Sequence, residues 1–303
     1  MASAVDSNIT NTKITLNNGT QMPAVGLGTY RIRDPEVIMT VVDQALSAGY
    51  RMFDTAAVYR NEASLREAFK TLLPKHGLER DDIFITTKLS PAEHGGSEAI
   101  TRAYNHSLEN LGLDFADLYL IHFPGTQKLA VNDKRNAELR LTTWASMVEL
   151  YDNGLVNAIG VSNFTKYHLK LLMERNHGVV PTVNQVEWHP FYYQMELLDY
   201  CKANDIVLQA YCSLGGKSQQ NDDLLTHPEV TGIARKLEVS NAQLLLRWAL
   251  QQDVAVIPKS TNPLHIKQNI SLNFDISPED MHTLSNLSTG KTVKYAWDPN
   301  IIV

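Results

Sequence analysis

What most constrains this chain is a rhythm. From residue 25 almost to the end, short apolar runs alternate with longer stretches whose apolar residues recur at helical spacing. The short runs, read as strands, fall at 25–27, 52–54, 83–87, 117–121, 156–161, 183–187, 206–210 and 254–257. Periodicity near 3.6 predicts helices over 35–48, 62–73, 96–111, 139–153, 166–175, 194–203, 241–251 and 264–269. The first shows how the local signals agree: Pro35 stands in its first turn, Val37, Ile38, Val41, Val42 and Leu46 form its inner face, and Gly49 stops it. Eight strand-then-helix units with no shift in composition between them predict an α/β chain folded as a (β/α)8 TIM barrel, not an open doubly wound sheet. A barrel of this kind needs about 250 residues and tolerates insertions. At 303 residues the chain is therefore expected to be a single domain over 1–303, with 1–10 flexible. Before the first helix, Asn17-Asn18-Gly19-Thr20 between two short runs predicts an N-terminal β-hairpin. One or two extra helices are expected, one of them over 278–287, capped by Ser277.

Such connectivity carries a chemical consequence. Parallel strands joined by crossovers deliver their C-terminal ends to one rim. Asp54, Lys88 and His122 each end a strand and lie 34 positions apart. That is about one strand, helix and return, so an acid, an amine and an imidazole share that rim. Tyr59 follows Asp54 by five positions, just before a helix that Asn61 can cap. Each residue alone has a plainer reading: an Asp after a strand as a turn or cap, a Tyr near a helix start as packing. Together they suit proton delivery. A free phenol titrates at about 10 and is a poor acid near neutrality. An adjacent ammonium is expected to lower that value, with Asp54 holding the lysine. Tyr59 then becomes a general acid, and His122 polarises a carbonyl oxygen. No nucleophile arrangement or metal-ligand spacing accompanies them, so hydride has to come from a bound cofactor.

The rest of the rim offers a place for one. Gly160-Val161-Ser162-Asn163-Phe164 ends the fifth strand with hydrogen-bonding side chains, Asn184-Gln185 interrupts the sixth, and Tyr211 closes the seventh with a face able to stack on a flat ring. The last strand runs into Lys259-Ser260-Thr261-Asn262-Pro263, which reads either as a phosphate site at a helix start or as an ordinary cap. Two polar insertions, 123–138 and 213–228, follow strand ends and are read as substrate loops. The tail, 288–303, with Tyr295 and Trp297, is either frayed or folded back over the rim. Trp188-His189-Pro190 reads as a structural turn, and Trp144 and Trp248 as core.

Composition excludes other classes. A net charge of -6 argues against wrapping nucleic acid or coating an anionic membrane. No apolar run approaches the roughly 20 residues that cross a bilayer, and the start, MASAVDSNIT, lacks a signal-peptide core. A cytoplasmic protein is expected. Cys201 and Cys212 are neither a disulfide framework nor a metal set and read as reduced packing residues.

With these residues in view, the chain resembles the aldo-keto reductase superfamily along nearly its whole length. Gly26-Leu27-Gly28-Thr29, Gly49-Tyr50-Arg51 through Asp54-Thr55-Ala56, Leu120-Ile121-His122-Phe123-Pro124, Gly160-Val161-Ser162-Asn163-Phe164, Asn184-Gln185-Val186-Glu187 and Ile257-Pro258-Lys259-Ser260 occur in family order. The resemblance implies an NADPH-dependent reductase of aldehydes and ketones, monomeric, binding NADPH/NADP extended on a barrel without a Rossmann fold. It implies the tetrad Asp54, Tyr59, Lys88 and His122 in the roles above. It implies Ser162, Asn163 and Gln185 on the nicotinamide carboxamide and Tyr211 on its ring. Thr29, Tyr30, Asp54 and Leu214 would also line the cofactor. Lys259, Ser260 and Thr261 would take the 2′-phosphate, with His265, Gln268 and Asn269 near the adenine. Tyr30, Val58, Tyr59, His122, Phe123 and Trp297 would line the small-molecule carbonyl substrate.

The sequence also departs from the family pattern. His265 stands where many relatives carry an Arg, which implies a preference for NADPH carried by Lys259 and weakened at His265. Cys212 replaces a stronger hydrogen-bonder in the loop after the seventh strand. Tyr30, Ser90 and Phe123 occupy places often filled by Trp, implying a smaller, more polar pocket for short or polar aldehydes and diketones. An alternative is a nucleotide-binding barrel with a regulatory or structural role and little turnover, disfavoured by the intact tetrad. A barrel isomerase or hydrolase is disfavoured because no catalytic carboxylate pair or metal set is present.

Overall fold

The hairpin forms where Asn-Asn-Gly directs it: β1 (Lys13–Thr15) and β2 (Gln21–Pro23) pair antiparallel, and Gly19 takes φ +87°. Its turn is pinned to the barrel floor, with the Asn17 side-chain amide donating to Pro181 and Asp205 carbonyls and that of Asn18 to Asn157. Those carbonyls precede strands, so the hairpin caps the N-terminal end and leaves the opposite rim open. The computed structural model describes residues 12–216, 223–290 and 292–303. The expected flexibility of 1–10 lies outside the described residues.

Eight strands then run parallel, each beside its sequence neighbour: β3 (Leu27–Gly28), β4 (Met52–Asp54), β5 (Phe84–Leu89), β6 (Leu118–Ile121), β7 (Ile159–Ser162), β8 (Val183–Glu187), β9 (Val207–Tyr211) and β10 (Ala255–Val256). A parallel bridge between Val25 and Val256, with Gly26 N–H donating to the Val256 carbonyl and Gly28 N–H to that of Pro258, closes the ring. The fold is the expected (β/α)8 barrel. Glycines permit its tightest seams: a Cβ at Gly28 would lie 2.7 Å from the Ile257 carbonyl oxygen, and one at Gly160 2.5 Å from that of Val183.

Around the ring lie α1 (Pro35–Ser47), α2 (Glu62–Lys75), α3 (Ser97–Leu111), α4 (Arg135–Asp152), α5 (Lys166–Met173), α6 (Met195–Ala203), α8 (Asn241–Leu250) and α9 (Pro263–Ile270). Two further helices, α7 (Pro228–Lys236) and α10 (Pro278–Ser285), are additions to the eight. Of these α7 escapes the sequence reading, since its buried set is only Val230, Ile233 and Ala234. Likewise α4 begins at Arg135, inside the stretch read as a polar loop, because its opening residues carry little apolar signal.

The core has two parts. Inside the barrel, Leu16 and Met22 of the hairpin plug the floor against Met52, Phe84, Leu118, Leu120 and Val183. The larger core lies between sheet and helices, where Ile38 and Val41 of α1 join Phe53, Leu65, Phe69 and Ile85. Full burial of each such side chain contributes roughly 1.5–3 kcal/mol. Trp144 and Trp248 are fully buried, as expected, and Trp188 stacks on Trp248 at 6.0 Å. Cys201 and Cys212 are free, and burial pushes both thiols up to about 12, which leaves them unreactive. Among the described residues no helix is long and apolar enough to cross a membrane.

Asn61 departs from its expected role. It stands before α2 but its side chain makes no cap. Its amide donates to the Thr29 and Ile32 carbonyls, and its oxygen accepts from Thr55 Oγ1 at 2.6 Å. The residue ties the loop after β3 to the loop after β4.

Candidate active site

Parallel register brings the strand ends together. Asp54 ends β4, Lys88 lies near the end of β5, and His122 follows β6 directly. Tyr59 closes a single 3-10 turn (Ala57–Tyr59) after β4, where Arg60 at φ +58° turns the chain into α2. Lys88 Nζ, wholly buried, donates to Asp54 Oδ1 at 2.6 Å, to the Thr55 carbonyl at 2.9 Å and to Tyr59 Oη at 3.3 Å. The Tyr59 and His122 rings meet edge to face at 5.6 Å. Four residues spread over 54–122 thus meet on one rim, where the spacing of Asp54, Lys88 and His122 places them.

The electrostatics differ from the expectation in one respect. The Tyr59 phenol is raised on balance, not lowered. Burial raises the phenol well above 10, reinforced by the Asp54 carboxylate. Burial also lowers the Lys88 pKa against the opposing pull of Asp54. His122 is pushed well below its ordinary value by burial and by the Lys88 charge, so its imidazole is neutral. Its Nδ1 is buried and without a partner. A neutral phenol and a neutral imidazole, both able to donate, therefore stand side by side on the rim.

Beside them runs a chain of amides and hydroxyls. Gln185 Nε2 donates to Asp54 Oδ2 and to Gln209 Oε1, each at 2.7 Å. Ser162 Oγ donates to the Gln185 carbonyl, and Asn163, at φ +64°, donates from its amide to the His122 carbonyl. The Tyr211 hydroxyl donates to Asn163 Oδ1 at 2.5 Å. Both Gln185 donors are thus spent on protein partners, and only its side-chain oxygen is left for a carboxamide. Thr29 is buried, its hydroxyl on the Asp54 carbonyl at 2.8 Å. Leu214 is half-buried in the loop after β9, whose continuation 217–222 lies outside the described residues.

Farther round the rim, Lys259, Thr261 and His265 are exposed and Ser260 half-buried, at the start of α9. No carboxylate pairs with Lys259 among the described residues. Asn262 caps α9 through the Leu264 and His265 amides, so the ordinary-cap reading of this stretch also holds. Gln268 is half-buried and Asn269 buried. The donor set fits a group with an amide and flat ring at one end and an anion at the other. Among the described residues no group of three or more His, Cys, Asp or Glu is placed to hold a metal.

Aromatic side chains stand around the Tyr59 and His122 rings. Tyr30 lies 5.1 Å from the Tyr59 ring, Val58 is exposed, and Phe123 meets Trp297 edge to face at 5.9 Å. Trp297 reaches this place because the tail is folded back over the rim, which settles the choice left open above. Val293 N–H donates to the Phe191 carbonyl, His168 Nε2 lies 3.0 Å from the Ile302 carbonyl, and Val303 N–H donates to that of Val131. The sequence reading gave no role to Glu187, whose buried carboxylate holds the tail. Its signal was a third polar residue in β8, where a buried strand is expected to be apolar.

The model of the aldo/keto reductase family matches residues 24–289. Glycerol 2-dehydrogenase (NADP(+)) of Saccharomyces cerevisiae is 38% identical, over 95% of this chain and 94% of its own. Glyoxal reductase of Bacillus subtilis is also 38% identical, over 92% of this chain and 94% of its own. The crystal structure of an aldo/keto reductase from Brucella melitensis superposes with a TM-score of 0.80 at 36% identity, covering 91% of this chain and 99% of that one.

Proposed function

This chain belongs to the aldo/keto reductase family, and from that premise we propose that it reduces small aldehydes and ketones to alcohols with NADPH. The chain is an oxidoreductase, and enzymes of its family generally use a nicotinamide cofactor. When bound, that cofactor supplies the hydride. The observation that carries the reading is the buried Asp54–Lys88–Tyr59 chain beside a neutral His122. His122 donates a hydrogen bond to the carbonyl oxygen, orients it and stabilises the charge that develops there. Tyr59 Oη then gives its proton to that oxygen. Lys88, 3.3 Å away, stabilises the phenolate left behind, and Asp54 holds the ammonium in place. A phenol whose pKa burial has raised keeps its proton until an alkoxide-like oxygen forms beside it.

Ser162, Asn163 and the oxygen of Gln185 hold the carboxamide, Tyr211 backs the ring, and Thr29, Tyr30 and Leu214 line the groove. Lys259, Ser260 and Thr261 take the 2′-phosphate, with His265, Gln268 and Asn269 around the adenine. Lys259, with no carboxylate partner among the described residues, supports NADPH over NADH, and His265 in place of a guanidinium weakens that preference. Tyr30, Val58 and Phe123 line the substrate site with Trp297 outside Phe123, and Ser90, assigned to this pocket by the family resemblance, supports short, polar carbonyl compounds. That class is in line with the glyoxal named for one relative. We place this activity in one domain over 1–303, acting as a cytoplasmic monomer.

The test is transfer of label. With NADPH deuterated at the nicotinamide C4, a panel of dicarbonyls, aliphatic aldehydes and aryl aldehydes should give alcohols carrying deuterium on the carbinol carbon. No turnover of any carbonyl, with NADPH binding retained, would overturn the reading.

A further inference from the structure

Glu187 ends β8 two residues after Gln185, with its side chain wholly buried. Its carboxylate accepts four hydrogen bonds: from His189 Nε2 at 2.9 Å, Lys294 Nζ at 2.5 Å, Tyr295 N at 2.6 Å and Ala296 N at 2.9 Å. Three of the four come from consecutive tail residues. The next residue, Trp297, is 79% exposed, and its described ring contact is the edge of Phe123. So exposed an indole has little packing of its own to fix it. Its place is inherited from the backbone of Ala296, which sits on Glu187. On the other side, Tyr295 presses into the loop after β9, where a Cβ at Gly216 would lie 2.3 Å from the tyrosine ring.

We propose that Glu187 is a positioning residue for substrate selection: by clasping 294–296 it sets Trp297 against Phe123 as the outer wall of the pocket. One aromatic ring out from Phe123, which itself follows His122, Trp297 meets the far end of a ring-bearing carbonyl and not a two- or three-carbon one. The inference rests on the carbonyl-reductase reading of the site.

Four variants test it with NADPH and two substrates, an aryl aldehyde and methylglyoxal. In Glu187→Gln, KM for the aryl aldehyde should rise about threefold to tenfold, the worth of one aromatic contact. Its kcat, and both constants for methylglyoxal, should stay within twofold. Lys294→Met, which opens the clasp from the tail side, should behave alike and serves if Glu187→Gln does not fold. Gly216→Ala, which forces Tyr295 outward, should raise the same KM. Trp297→Ala should give that rise by itself and add nothing in a Glu187→Gln background. Equal KM changes for both substrates, or additive effects of Glu187→Gln and Trp297→Ala, would overturn the proposal. If the wild type reduces no carbonyl, the site reading fails and the clasp is judged separately by trypsin. Cleavage after Lys294 in folded Glu187→Gln but not in wild type supports the clasp; equal cleavage in both sinks it.

Discussion

Tyr59 is pulled in opposite directions by two neighbours that share one hydrogen-bonded chain. Lys88 favours its phenolate, while Asp54 and burial favour the phenol, and the outcome is a raised pKa. His122 is held neutral by the same burial and by the same ammonium. These directions set the pH dependence of the free enzyme. The acid form of Tyr59 is present at every pH below its raised value, and neutral His122 at every pH above its lowered one. Measured kcat/KM for carbonyl reduction should therefore be flat from about pH 6.5 to 10, the ordinary values of imidazole and phenol. A fall centred near 8 would show that Lys88 does lower the phenol after all. The convergence of Asp54, Lys88 and His122 was legible from spacing, because one strand-and-crossover unit fixes how far apart rim residues lie, and Tyr59 came with them through its place after Asp54 and the family resemblance. The direction of the Tyr59 shift was not. It depends first on how far the folded chain takes the phenol out of water and then on the Asp54 carboxylate beside it, and spacing carries neither.

Strands β7 and β8 supply Ser162 and Gln185, and their separation is set by Gly160. With the Val183 carbonyl 2.5 Å from where a Cβ would stand, Gly160→Ala forces the two strands apart or bends one of them. Overpacking of this kind costs about 1–3 kcal/mol, and because it falls between the strands that carry Ser162 and Gln185, cofactor affinity should weaken along with stability. Urea denaturation and a fluorescence titration with NADPH read the two effects; an unchanged midpoint would mean the seam has slack. Elements with full amphipathic faces, such as α1, were readable to within a residue or so. Helix α7 was not, since nine residues with three buried side chains look like loop. Asn61 was misread for a related reason: a polar residue before a helix ordinarily caps it, and only the folded chain brings the Thr29 and Ile32 carbonyls within its reach.

At the scale of the whole molecule, the chain ends by crossing the rim it has built. Lys294 and Glu187 are 107 positions apart, which is why local sequence left the tail open between two states. Burial alone would raise the Glu187 pKa. Hydrogen bonds from His189, Lys294 and Tyr295 and the Lys294 charge prevail, and hold it at about 2 against 4.5. A carboxyl depressed in the folded state contributes stability that is complete above its unfolded value and is lost as pH falls through the folded one. The tail clasp should therefore hold at pH 5 and weaken progressively between 4.5 and about 2, with on the order of 3 kcal/mol at stake. His168, which holds Ile302, is kept neutral by burial with its value lowered to about 4, so its share is lost earlier, as pH falls from 6.5. Amide exchange in 293–303 against pH separates these steps, and protection unchanged down to pH 3 would refute both.

The account as a whole turns on Tyr59 as the proton donor within the buried chain from Asp54 through Lys88. Single-turnover reduction of an aldehyde by wild type and Tyr59→Phe, each pre-loaded with NADPH, tests it most directly. The account predicts an unchanged NADPH dissociation constant and a rate of hydride transfer lower by about 10²–10⁴, the usual worth of a general acid. A Tyr59→Phe enzyme that reduces the aldehyde within a few fold of the wild-type rate would contradict it.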